Sequence, residues 1–328
     1  MELINTTPYQ AQLFRTVIDD EYILAVLVVK ATFNYDREGL VSLERSQPLP
    51  IYREYLVTDF GQLWPESFAQ RFMAEAFVLG RAMTPELRPA TQLDVGLRVG
   101  ELDVTARVFG RRRWQMRWLR GPQIGAPDSF ETMLLDWSHA FGGRALVDGR
   151  KVPNLDNPLG RGYVLDIKQI DGVELPNLEE PDRLIRRWSD QPRPFAFSPL
   201  TPGSALVDVE DRHNPTPPEA SMSGPWATGS STLNFAHPLL RLDALRDGAA
   251  VVMDGMSPDG RRGFWLSTPH VFALVKGRKG TTRLYCKPDT LYIYPQHGRY
   301  AVTARKAFRY RTHDEATHAV RLVWARDE

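Results

Sequence analysis

The sequence is short of cysteine, the residue that disulfide, thiol redox and thiolate-metal chemistry needs. Among its 328 residues there is a single cysteine, Cys286. No intramolecular disulfide can form, Cys-rich zinc sites are excluded, and a reducing compartment suits the chain. Charge of either sign is not in excess: 41 Lys and Arg stand against 40 Asp and Glu, a formal net charge of +1. Dedicated polyanion binders carry a basic surplus, so no nucleic-acid partner is expected. Long apolar runs are missing too. The longest, Tyr22–Val29, is far short of the roughly twenty residues of a membrane helix. The opening MELINTTPYQ has neither the basic nor the apolar region of a signal peptide. The expectation is a cytoplasmic protein with no membrane partner.

The motifs of common enzymes are also missing. No Gly-rich segment ends in Gly-Lys-Ser/Thr, so there is no phosphate loop. Gly160-Arg161-Gly162 follows Asn-Pro, where a dinucleotide fingerprint would follow a strand. Gly255-Met256-Ser257 lacks the second glycine of a nucleophile elbow. Cys286, in the strand-like Leu284-Tyr285-Cys286, reads as a small buried apolar residue. His313-Asp314-Glu315 with His318 is the best metal candidate, but its histidines do not share a helical face and the group reads as a solvated loop. Glu179-Glu180, ahead of a proline, also reads as a loop. No catalytic residue, metal or cofactor is expected. A carboxylate pair assembled from different strands is a pattern that sequence alone does not test.

What is present is strand pattern and bulky apolar material: 15 Phe, 11 Tyr, 8 Trp and 42% hydrophobic residues. A chain of this length buries about three quarters of its unfolded surface, enough to fold without staples. Tyr22–Tyr35 begins as a solid apolar run and ends in alternation, the sign of a long buried strand. Thr91–Val99 alternates with Leu93, Val95, Leu97 and Val99 on one face, and Val104, Ala106 and Val108 continue after the turn at Gly100-Glu101. Such hairpins pack sheet on sheet. Phe68, Phe72 and Ala76 have helical spacing, whereas Ala76–Leu79 suits a strand. Further strands are predicted over Ala249–Met253, Gly263–Leu266, Val271–Val275, Thr282–Cys286, Thr290–Tyr294, Tyr300–Ala304 and Ala319–Trp324. A short helix is predicted from His237, where Leu239, Leu242 and Leu245 share a face ahead of Gly248.

The middle differs in composition. Fifteen of the 25 prolines lie between Gly121 and Leu240, and proline removes a donor and fixes φ. This predicts ordered, extended loops, with Asp208–Ser231 the mobile part. The fold expectation is mainly β: sandwich-like sheets with long Pro/Gly-rich loops and little helix. The regions are an N-terminal β region over 1–125, a loop region wrapping the sheets over 126–236, and a C-terminal β region over 237–328, compatible with one continuous domain.

Arg111 to Arg120 (RRRWQMRWLR) is the most distinctive charged stretch. On a strand, Arg111, Arg113, Gln115 and Arg117 share one face; Arg112, Trp114, Met116 and Trp118 share the other. The pattern predicts exposed Arg111, Arg113 and Arg117 over packed Trp114 and Trp118. Because Arg and Trp are enriched at binding hot spots, the three arginines are also candidate partner-binding residues.

Several blocks resemble one family in their order. They are Val29-Lys30-Ala31-Thr32-Phe33, Leu93–Gly100, Arg107-Val108-Phe109-Gly110, His139-Ala140-Phe141-Gly142-Gly143, Asn157-Pro158-Leu159-Gly160-Arg161-Gly162-Tyr163, Leu175-Pro176-Asn177-Leu178-Glu179-Glu180-Pro181, Ser257–Gly260 and Pro288–Ile293. Together they resemble a bacterial domain-of-unknown-function family found in type VI secretion gene clusters. The resemblance implies a non-catalytic adaptor or chaperone whose partners are a secreted effector and the spike-tip protein of the apparatus. Pro181–Ser231 departs from the family pattern. Physically, Phe141, Gly142, Gly143, Asn157, Pro158, Gly160, Arg161, Gly162, Pro176 and Asn177 read as scaffold that lets loops cross closely, with Arg161 tying a loop down. The rival readings are a β-sandwich glycosidase or esterase, and a carbohydrate-binding module using exposed aromatics.

Overall fold

The computed structural model describes residues 1–67, 71, 73–199, 234–278, 280–313 and 319–324. Half the chain is strand, and no helix among the described residues reaches seven residues. The mainly β expectation holds, and the sheets curl into a nearly closed, barrel-like arrangement.

Three long strands carry the architecture. Tyr22–Tyr35, Arg299–Arg311 and Gly280–Tyr294 lie side by side in a ten-stranded sheet. Val271–Gly277, Ala319–Trp324 and Glu2–Asn5 extend it on one side and Gln10–Val17 ends it on the other. Because Glu2–Asn5 and Gln10–Val17 are near neighbours in sequence yet occupy opposite ends of this order, the sheet bends round on itself. Strands from both ends of the chain therefore share one sheet.

A second, five-stranded sheet has the order Leu178–Glu179, Leu102–Phe109, Gln92–Val99, Ala250–Asp254, Arg262–Trp265. Its alternation sends Val95, Leu97, Val99, Val104, Ala106 and Val108 inward, where they join Leu27, Val29, Ala31, Phe33, Val302 and Ala304 of the large sheet in one core. A column of rings crosses between the sheets: Phe33 on Tyr300 at 5.0 Å, Tyr300 on Phe264 at 4.4 Å and Phe264 on Tyr35 at 4.5 Å, all stacked. Stacked pairs of this kind add about 0.5–1.5 kcal/mol each beyond area burial.

The other face of the large sheet carries a polar row. Cross-strand pairing aligns Gln10, Lys30, Thr303, Thr290, Glu75 and Arg241 across six strands. Lys30 is fully buried and its Nζ donates to Glu66 Oε2 and to the Pro50 carbonyl, both at 2.9 Å. Glu66 also accepts from Thr303 Oγ1 and from the Tyr52 N–H. Beside it, buried Arg305 donates to the Glu66 carbonyl at 3.1 Å and pairs with Asp289. Two cations thus meet two carboxylates out of water, an arrangement that persists only when the partners are all in place. The cluster fastens the 50–66 segment to the sheet.

Several expectations are corrected. Thr282–Cys286 and Thr290–Tyr294 form one strand, Gly280–Tyr294, because Pro288 sits at a bulge where the register shifts between Pro288 and Thr290. The bulge leaves Asp289 free of a cross-strand partner, so its carboxylate is available to Arg305. No helix forms after His237: a 3₁₀ turn over Pro238–Leu240 leads into Arg241–Leu242, which pairs with Glu75 and Ala74. Ala74–Val78 is a buried strand. Glu179, expected in a loop, lies in the short strand Leu178–Glu179 and is buried. Phe68, Phe72, the Asp208–Ser231 stretch and residues 314–318 of the histidine cluster lie outside the described residues.

Candidate functional site: an arginine-tryptophan hairpin on a loop platform

The loop region builds a platform from backbone contacts that tolerate no side chain. Phe141–Gly142 and Arg161–Gly162 form a parallel pair. Gly142 has φ +142°, and a Cβ there would lie 2.1 Å from the Asn157 carbonyl, so only glycine fits. Asn157, buried beside buried Pro158, donates from Nδ2 to the carbonyls of Trp137 and Phe141 at 2.8 and 2.9 Å. Its own carbonyl accepts from the Gly143 N–H at 2.7 Å, and the Gly160 N–H turns back to the same oxygen. Arg161 donates to the Ser138 carbonyl at 2.9 Å and approaches Glu174 at 3.4 Å. The scaffold residues of the A-F-G-G and N-P-L-G-R-G-Y blocks are brought together here.

The L-P-N-L-E-E-P block ties this platform to the five-stranded sheet. Asn177 is buried; its Nδ2 donates to the Phe109 carbonyl at 3.0 Å, while its main chain exchanges bonds with Phe109 and His139. The Pro176 carbonyl accepts from Arg112 at 3.1 Å. Arg112 is buried, lies 3.6 Å from the Phe109 ring centre and pairs with buried Glu179. Burial pushes the Glu179 carboxyl up, against the pull of Arg112. Glu179 also accepts from the Ile185 N–H. Phe141, Val164, Ile170, Leu175 and Ile185 form a second small core.

Trp114 inserts into that second core and is 3% exposed. It begins a hairpin in which Trp114–Arg117 pairs with Gly121–Ile124. The connection is three residues, 118–120, closed by the Arg120 N–H on the Arg117 carbonyl, with Gly121 at φ +67°. A turn followed by a left-handed glycine is a tight, twist-matched hairpin closure. The base is held from the side: the Trp114 N–H bonds the Val173 carbonyl, the Gly172 N–H bonds Trp114, and the Met116 N–H bonds Asp171 Oδ1 at 2.7 Å. Arg111 and Arg113 are exposed and paired with Asp128 and Glu174. Arg117 is exposed and donates only to Gln115 among the described residues.

Trp118 departs from expectation. It is 97% exposed, Leu119 is 90% exposed and Met116 is 43% exposed. The face shared with Trp114 runs off the edge of the second core after one residue. The alternation of Arg111–Arg120 is correct, but the core ends before Met116. The buried charge cluster is not foreseen either: Lys30 and Asp289 stand inside quoted blocks with no role given them, Glu66 and Arg305 stand in none, and the signal for Lys30 is a charge within a mostly apolar strand.

One serine, histidine and aspartate do meet. Ser138 Oγ lies 3.0 Å from His139 Nδ1, and Asp136 Oδ1 lies 2.7 Å from the same nitrogen. A hydrolytic relay places serine and carboxylate on opposite ring nitrogens. Here both touch Nδ1, so this trio is a turn lock over Asp136–His139. Among the described residues no group of three or more His, Cys, Asp or Glu is placed to hold a metal ion, and no helix is long and apolar enough to cross a membrane.

No curated protein and no solved structure matches the chain. A family model does match, over residues 21–305, which takes in the five-stranded sheet, the platform, the hairpin and the large sheet apart from Glu2–Asn5, Gln10–Val17, Ala319–Trp324 and the end of Arg299–Arg311. The chain belongs to the bacterial family described as "Uncharacterized protein conserved in bacteria (DUF2169)".

Proposed function

We propose that the chain is a non-catalytic adaptor, or chaperone, that binds a type VI secretion effector in the bacterial cytoplasm and helps load it onto the spike-tip protein. The observation that carries the reading is the hairpin: large apolar side chains and arginines held out from a platform that is tied together by its own backbone and side-chain bonds. Exposed apolar groups beside arginine are what a protein interface uses. The rigid platform supports it further, since ordering has been met before any partner arrives and association then loses less entropy. The block-by-block resemblance in sequence supplies the identity of the partners.

The test is genetic and biochemical. Co-purification with the effector encoded next to this chain, and loss of its secretion from a strain deleted for the chain, are expected. If the effector is stable and secreted normally in the deletion strain and no complex forms, the adaptor reading fails.

A further inference from the structure

We propose that the hairpin tip, Trp118 and Leu119 between Arg117 and Arg120, is a docking anchor that enters an apolar, acid-rimmed pocket on a protein partner. Which protein that partner is rests on the adaptor reading; the exposed tip does not. The tip is the most exposed apolar pair among the described residues, at 97% and 90%. It is not a loose loop: the 118–120 connection is closed by a hydrogen bond, and the strand leading into it is bonded to 171–173 and plugged by buried Trp114. Presentation of a large ring on a rigid turn keeps the entropy lost on insertion small.

The charge pattern specifies the partner's chemistry. Arg111 and Arg113, nearer the platform, already have their carboxylates, Asp128 and Glu174. Arg117 and Arg120, at the tip, make no ion pair among the described residues. The two guanidinium groups are open to carboxylates from outside, and a planar guanidinium suits a carboxylate rim. An anionic membrane would also attract them, but two free cations on a chain of net charge +1 give little surface attraction. A pocket that takes Trp118 uses both features at once.

The experiment uses the full chain with a photo-crosslinking residue at position 118, expressed in its own bacterium, with a second probe at exposed Leu155 as control. The proposal expects one adduct from position 118, absent from position 155, and lost in the R117E/R120E background. With purified proteins, W118A/L119S should weaken binding of the adducted protein at least tenfold while leaving the melting temperature unchanged. Wild-type binding should weaken with salt, and that of R117E/R120E much less. If the adduct is the adjacent effector or the spike-tip protein, both the anchor and the adaptor reading stand. If it is any other protein with the same charge dependence, the anchor stands and the adaptor reading falls. No adduct, a second copy of the chain, recruitment to phosphatidylglycerol vesicles in place of a protein, or a complex indifferent to W118A/L119S would overturn the anchor. In that last case the adaptor reading would survive on co-purification alone.

Discussion

At the scale of single residues, the two tryptophans of one alternating stretch have opposite fates, and that difference is measurable. Trp114 fills the second core, so W114A should cost about 3–5 kcal/mol in urea unfolding. Trp118 touches little, and W118A should change stability by less than about 0.5 kcal/mol. Equal losses would mean that Trp118 is packed. Glu66 is a second such residue. Burial, the largest influence, pushes its carboxyl up, yet Lys30 and Arg305 override this and hold it below its ordinary value of 4.5. Removing one partner of a buried charge set costs about 3–5 kcal/mol. E66Q should show that loss, and K30M in the same background should restore part of it in a double-mutant cycle. A cycle with no coupling would contradict the contact.

His237 gives the pH dependence. It is 5% exposed and edge-on to Phe195 at 5.0 Å. Burial, then the charges of Arg193, Arg241 and Arg183, push it down from 6.5 to about 4. A depressed group favours the folded state fully above its unfolded value and loses that contribution as pH falls through its folded value. Stability should therefore decline between pH 6.5 and about 4 by about 3 kcal/mol. H237Q should flatten this decline in denaturant melts taken across the window. An unchanged slope would show that other groups set it.

At the scale of elements, alternation was readable wherever both faces of a strand have fixed surroundings. Gln92–Val99, Leu102–Phe109 and Ala319–Trp324 fall where the pattern places them. It misled where tertiary pairing decided. The Leu239, Leu242 and Leu245 spacing suggested a helix, but Arg241–Leu242 finds a strand partner in Ala74–Glu75, and that pairing outweighs local spacing. Thr282–Cys286 and Thr290–Tyr294 read as two strands, though a bulge at Pro288 joins them into one. The hairpin was legible as a strand but not as an exposed tip, because nothing local says where the second core stops. The glycine blocks were read as scaffold on general grounds; which oxygen each approaches only the fold reveals. G142A would force a Cβ to within 2.1 Å of the Asn157 carbonyl at φ +142°. It should destabilise by at least about 2 kcal/mol, with faster hydrogen exchange across residues 140–163. A variant as protected as the parent would contradict the close crossing.

At the scale of the molecule, two layers of design are separate. The sheets, the ring column from Phe33 to Tyr35 and the buried Lys30–Glu66–Arg305–Asp289 cluster make a frame. The platform of residues 136–181 holds a hairpin away from that frame, with its base bonded and its tip bare. The proposed adaptor role would use that division: a frame that does not change, and a surface open to a partner. A complex worth holding through transport should bury more than about 1,200 Å², more than a hairpin tip alone provides, so the adjoining loops must contribute. The most direct measurement is size-exclusion chromatography with light scattering of the purified chain mixed with the purified effector encoded beside it. A single peak whose mass equals the sum of the partners, lost on W118A/L119S, is the predicted result. Two peaks at the masses of the separate proteins would contradict the central claim.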